Sequence, residues 1–248
     1  MYAILRGMRF IQTDTPDIVR DAIVEPIARR VGERKQTLLL VSGGSSAGIA
    51  TAVVRELLAT SVAHGTSLAD ILTVSLIDER FGAVGHRDSN WRQLLEGGLP
   101  VESVRAVPLL VEPRDDDKAF DSAVSRFGEF LLDATTRQAR GELLIVGLLG
   151  IGADGHTAGI LQSSPACAID GEGAALATGY RSEMFARITI TPAFFRYFDR
   201  AVAYANGAGK WPAVARLQQA LPVCDQPAQL LKRARESLVF SDWVPAEA

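Results

Sequence analysis

Residues 150–158 read Gly-Ile-Gly-Ala-Asp-Gly-His-Thr-Ala and carry the strongest chemical signal in the chain. Three glycines in six residues frame one acid, Asp154, and one imidazole, His156. In an extended loop, a spacing of two points both side chains to the same side. Histidine works as a base near neutral pH, and a neighbouring carboxylate orients it and raises its basicity. The segment therefore predicts a catalytic pair, with His156 as general base and Asp154 as its orienter. The other two histidines, His64 and His86, have no comparable setting.

Three further segments offer groups for an anionic ligand. Ser42-Gly43-Gly44-Ser45-Ser46 lies between a strand-like run and a helical pattern. Its glycines admit close backbone approach, the helix start presents N–H donors, and the serine hydroxyls add more. It reads either as a phosphate cradle or as a tight strand-to-helix turn. It is neither GxGxxG nor a Walker loop, which argues against dinucleotides and nucleoside triphosphates. Asp78-Glu79-Arg80 follows another buried strand, where open α/β sheets place their ligands. Asp78 and Arg80 are read there as site residues, and Asp88 and Ser89 as loop and helix cap. Arg187 opens the strand-like Arg-Ile-Thr-Ile-Thr. Lys210 follows Gly207-Ala208-Gly209 at a helix start, so each of these cations is an anion contact or a plain surface charge.

Other chemistries fit poorly. The histidines lie in separate segments with no HExxH, and Cys167 and Cys224 form no CxxC, so no metal site is expected. No GxSxG elbow points to a covalent serine nucleophile, and no cofactor is implied. With 26 basic and 29 acidic residues the net charge is -3, without the clustered basic excess of a nucleic-acid binder. The first ten residues lack an apolar core followed by a cleavage site, and no apolar run reaches membrane-spanning length. With two distant cysteines, the expectation is a reduced, disulfide-free protein of the cytoplasm.

The positioning elements are legible as alternation. Residues 36–42, 71–77, 143–149, 186–191 and 201–206 read as strands. Residues 49–63, 89–95, 117–136 and 209–220 read as helices. The run 143–149 is continuously apolar, the mark of a strand covered on both faces in a parallel sheet. The acidic run 115–117 is placed to cap the helix after it. Strand-helix alternation over 248 residues, 48% of them hydrophobic, with no repeat or linker, predicts one doubly wound α/β domain spanning 1–248.

Taken in order, SGGSS (42–46), DERF and SN (78–81, 89–90), GIGADGHTA (150–158), RITIT (187–191) and GAGK (207–210) resemble the family of 6-phosphogluconolactonases and glucosamine-6-phosphate deaminases. The resemblance implies a Rossmann-like fold with a mostly parallel sheet and helices on both faces. It implies that the 42–46 loop, Arg187 and Lys210 hold a substrate phosphate, that Arg80 contributes to binding and that Asp78 lines the site. It also implies that His156 activates water. The reaction implied is lactone hydrolysis in the oxidative pentose phosphate pathway, with a small sugar-phosphate lactone as partner. An amino-sugar-phosphate deaminase, a non-catalytic sugar-phosphate sensor and a plain structural protein stay open as alternatives, as does the oligomeric state. The chain departs from the lactonase pattern at Ala47, at Gly159-Ile160-Leu161-Gln162 and at Trp211-Pro212.

Overall fold

The structure, a computed structural model, describes residues 2–5 and 7–244. Its main sheet has eight strands: β1 (Tyr2–Leu5), β2 (Met8–Gln12), β3 (Gln36–Val41), β4 (Leu72–Leu76), β6 (Arg105–Val107), β7 (Leu143–Gly150), β10 (Arg200–Tyr204) and β11 (Ser237–Ser241). Their order is β1-β2-β11-β10-β7-β3-β4-β6, and every pair is parallel except β1 with β2. A second, antiparallel sheet of three holds β5 (Asp78–Arg80), β9 (Ala186–Ile190) and β8 (Ala177–Arg181). The 186–191 run thus forms a strand as expected, but in this small sheet rather than in the parallel one.

Among the described residues, six α-helices lie around the sheets: α1 (Asp17–Gly32), α2 (Ser46–Ala63), α3 (Leu68–Ile71), α4 (Asn90–Glu96), α5 (Asp117–Ala139) and α6 (Trp211–Arg216). The class is the expected mostly parallel, Rossmann-like α/β fold. Helix α1 buries Val19, Ile23, Ile27 and Val31 at four-residue spacing despite Pro26 inside it. Helix α2 has the length and hydropathy of a membrane span, but half of it is buried, and it packs on α1, β3 and β7 as a core helix. Asp116 caps α5 by accepting from the Ala119 N–H at 2.8 Å. The expected helix over 209–220 is shorter, a 3-10 turn at Ala208–Lys210 running into α6.

The topology decides where the loops go. The chain builds outward from β3 to β4 and β6 in one direction, and from β7 to β10 and β11 in the other. The carboxyl ends of β3 and β7 therefore flank the point where the winding reverses, the place where open α/β sheets leave a crevice. The Ser42–Ser46 loop leaves β3 at that point, and the 150–158 loop leaves β7 beside it. Asp78 follows β4 on one side, and the turn bearing Lys210 follows β10 on the other.

One expectation is corrected. Cys167 and Cys224, 57 residues apart, form a disulfide with Cα atoms 5.2 Å apart. The fold brings the 3-10 turn Pro165–Ala168 against the loop before Gln226, and spacing along the chain carries no sign of that approach. The cysteine argument for a reducing compartment does not survive this pairing. A bridge closing a loop of this length removes about 2–4 kcal/mol of unfolded-state freedom. Reduction should therefore lower the midpoint of thermal unfolding by about 5–15 °C. Matching melting curves with and without reductant would show that the bridge constrains nothing.

Candidate active site

The loop after β7 is folded around its own glycines. Gly155 takes φ +93°, which an L-residue resists, and its N–H donates to the Gly152 carbonyl at 2.9 Å. The Gly152 N–H donates to the His156 carbonyl at 2.9 Å, closing the turn. Inside it, the Asp154 carboxylate meets the His156 Nδ1 at 2.6 Å and accepts the His156 backbone N–H at 3.1 Å. A carboxylate can only accept, so Nδ1 carries a proton, and the neutral ring then has its lone pair on Nε2. Partial burial pushes the Asp154 carboxyl up, but the bonds and charge from His156 outweigh it and hold the group below its ordinary value. A Cβ on Gly152 would overlap both His156 Nδ1 and Asp154 Oδ1, so the pair exists because residue 152 has no side chain.

The departures from the lactonase pattern brace this loop. Gln162 donates from Nε2 to the Asp154 carbonyl at 2.8 Å and to the Asp225 carbonyl at 2.7 Å, and Arg216 donates to the same Asp154 carbonyl at 2.9 Å. Trp211 stacks on Trp243, and its indole N–H donates to Asp242 at 3.0 Å, as does the Gly207 N–H. Asp242 thereby holds both ends of the turn that carries Lys210. Ala47 is buried at the start of α2.

A cavity of about 460 Å³ opens at the switch point. Ser42, Gly43, Gly44 and Ser45 line it together with Asp78, Arg80, His156, Arg187 and Lys210. Of the residues predicted for the site, two stand outside the wall. Asp154 lies behind His156, and Ser46 is buried in the first turn of α2. The Gly44 N–H already donates to Gln93 Oε1 at 2.9 Å, so an anion seated on this loop meets the Gln93 side chain. Arg80 and Arg187 face each other across β5 and β9. Asp78 is buried at 6% exposure. Burial pushes its carboxyl up, and Arg187, Arg80, His156 and a bond from Asn90 pull it back without cancelling that rise.

Two residues that stand in the sequence motifs without an assigned role, Glu79 and Asn90, organise the β5 side. Glu79 is buried and accepts from the Arg80 and Asn90 N–H groups, each at 2.7 Å, from Ser89 Oγ at 2.8 Å and from the Trp91 N–H at 3.1 Å. It clamps the start of α4 to β5, and Ser89 also caps α4 through the Arg92 N–H. Asn90 donates to the Asp78 carbonyl at 2.9 Å and packs so closely on Gly43 that a Cβ there would overlap its amide. A buried acid beside a site acid was the one available signal for Glu79. The other histidines are structural, with His86 Nε2 on the Arg80 carbonyl and His64 Nδ1 on the Thr60 carbonyl. Among the described residues, no group of three His, Cys, Asp or Glu is arranged to hold a metal.

A profile of the glucosamine-6-phosphate isomerases/6-phosphogluconolactonase family matches residues 13–240. The chain belongs to this family. A 6-phosphogluconolactonase from Synechocystis is 26% identical over 198 residues, covering 77% of this chain and 75% of that protein. Among solved structures, a 6-phosphogluconolactonase from Shewanella baltica aligns over 94% of this chain and 96% of its own, with TM-score 0.67 and 21% identity. The 6-phosphogluconolactonase of Trypanosoma brucei aligns over 93% and 94%, with TM-score 0.69 and 20% identity. At such identities these structures establish the shared family fold.

Gly152→Ala tests the geometry of the pair directly. Residue 152 does not need a positive φ, so the variant should fold. Its crystal structure should show the imidazole turned out of hydrogen-bond reach of Asp154. A ring still bonded to that carboxylate would show that the loop, and not the missing side chain, sets the pair.

Proposed function

We propose that the protein hydrolyses 6-phosphoglucono-δ-lactone to 6-phosphogluconate, the lactone-opening step of the oxidative pentose phosphate pathway. One observation carries the reading: a single cavity joins the carboxylate-oriented imidazole of His156 to three cations, Arg80, Arg187 and Lys210, and to the Ser42–Ser45 loop. The cations and the loop N–H groups suit a phosphate dianion through charge-assisted bonds. A phosphate fixed there orients the lactone ring, and orientation alone removes much of the barrier.

His156 Nε2 takes a proton from water as the oxygen attacks the lactone C1. The oxyanion that forms is stabilised by glycine-loop N–H groups or a neighbouring arginine. When the C1–ring-oxygen bond breaks, the proton passes from His156 to the departing oxygen, leaving a hydroxyl and a carboxylic acid that gives up its own proton to solvent. Asp154 stabilises the imidazolium in between, and Asp78 contacts the sugar hydroxyls. A lactone is an activated ester, so neither a metal nor a covalent intermediate is required.

The family name also covers an amino-sugar isomerisation. In the deaminases a glutamate seven residues beyond the loop aspartate assists ring opening, and that position here is Leu161, packed against the core. The carboxylic acid in the cavity wall is Asp78. Amine loss needs ring opening, proton transfer at carbon and protonation of the leaving group, which asks for more acid–base groups than this wall supplies. Phosphorylated sugars do not cross membranes unaided, so we place the enzyme in the cytoplasm, where such sugars are made.

The test follows acid release from freshly made 6-phosphoglucono-δ-lactone, above the spontaneous rate, in wild type and His156→Ala. The variant should lose about 10²- to 10⁴-fold in kcat with KM changed much less. Glucosamine 6-phosphate in the same assay should release no ammonia. A His156→Ala rate close to wild type would remove the imidazole from the reaction. Ammonia release matching lactone hydrolysis would make the protein a deaminase.

A further inference from the structure

Arg80 and Arg187 are direct cross-strand partners in the β5–β9 pair. Like charges placed opposite one another destabilise a strand pair. Neither guanidinium finds a bonded carboxylate: Arg80 Nη1 donates to the Asp88 carbonyl at 3.1 Å, and the Nε atoms of both are buried without a hydrogen-bond partner among the described residues. Asp78 lies close enough to be acted on by both charges. Something else must hold two long cationic side chains in register beside the cavity.

The structure assigns that task to Phe185: we propose that its ring is a shared platform that positions Arg80 and Arg187 for the substrate phosphate. The proposal rests on the reading that these arginines bind phosphate. The Arg80 Cζ lies 5.4 Å and the Arg187 Cζ 5.6 Å from the ring centroid. Both distances fall within the range in which the negative face of an aromatic ring attracts a cation. Phe185 precedes Arg187 by two residues, which places the two side chains on one side of an extended strand.

The backbone that carries the ring is tied to Ser182. The Ser182 N–H and Oγ both donate to the Phe185 carbonyl at 2.8 Å, and the Phe185 N–H donates to Ser182 Oγ at 3.2 Å. Next to it Met184 also borders the cavity but is 78% exposed, whereas Phe185 is half-buried beside the two arginines. A core-filling role does not account for Phe185, since it belongs neither to the buried core cluster nor to the side chains packed on that cluster.

Phe185→Leu keeps apolar bulk and removes the ring face, and Phe185→Tyr keeps the face. The Leu variant should raise KM for 6-phosphoglucono-δ-lactone about five- to thirty-fold, the loss of two part-exposed cation–ring contacts, with kcat and melting temperature held. Hydrolysis of unphosphorylated gluconolactone should be unchanged, and Phe185→Tyr should restore KM. In the ligand-free protein, ¹⁵N relaxation at the Nε–H groups of Arg80 and Arg187 should show both becoming mobile in the Leu variant alone. Arginines as ordered in Phe185→Leu as in wild type would overturn the proposal. Mobile arginines with an unchanged KM would instead overturn the phosphate reading beneath it.

Discussion

β3 and β7 run parallel and side by side at the middle of the sheet, with Val41 level with Leu148. Each is buried along nearly its whole length, so neither can shift without exposing core side chains. The winding reverses between them, and their carboxyl ends deliver two loops to one crevice. Everything in the site is measured from that pairing. The β3 loop brings the Ser42–Ser45 backbone, and the β7 loop brings Asp154 and His156. β4 and β10, the next strands outward, add Asp78 with Arg80 and the turn that carries Lys210.

The crevice is divided electrostatically. Arg80, Arg187 and Lys210 make part of the wall positive, and the Asp154–His156 pair sets an imidazole beside a carboxylate. Asp78 lies where both fields reach it, buried and held above its ordinary range even with two guanidinium groups near. Under the proposed function, anchoring and proton transfer fall to separate groups on separate strands. The backbone of the 150–158 loop is tied down through the Asp154 carbonyl, which accepts from both Gln162 and Arg216. A bound ring would therefore meet an imidazole whose direction is already set.

Sequence made the chemistry easier to read than the scaffold. Glycines crowded around Asp154 and His156 are a local signal, because the turn and its hydrogen bonds form within seven residues. Helix α5 was legible from its periodicity and its acidic cap. Helix α1 was not, since Pro26 interrupts a pattern that tertiary packing sustains anyway. The small β5–β9–β8 sheet joins a short β8–β9 hairpin to β5, more than 100 residues away, and a three-residue strand paired at that range leaves no periodic mark. Separation along the chain, 57 residues for the disulfide, likewise hid the Cys167–Cys224 bridge, the Asn90–Gly43 contact and the approach of Phe185 to Arg80. Trp211 and Gln162 look in sequence like departures from a pattern. In the fold they tie the Lys210 turn and the 150–158 loop to Asp242, Trp243 and Asp225.

The central claim is that one cavity holds the phosphate and the reacting carbon at once. A crystal structure with 6-phosphogluconate bound measures this most directly. The account predicts the phosphate among Arg80, Arg187, Lys210 and the Ser42–Ser45 loop, with the C1 carboxylate within hydrogen-bond reach of His156 Nε2. A phosphate bound elsewhere, or a C1 carboxylate facing away from the imidazole, would contradict it.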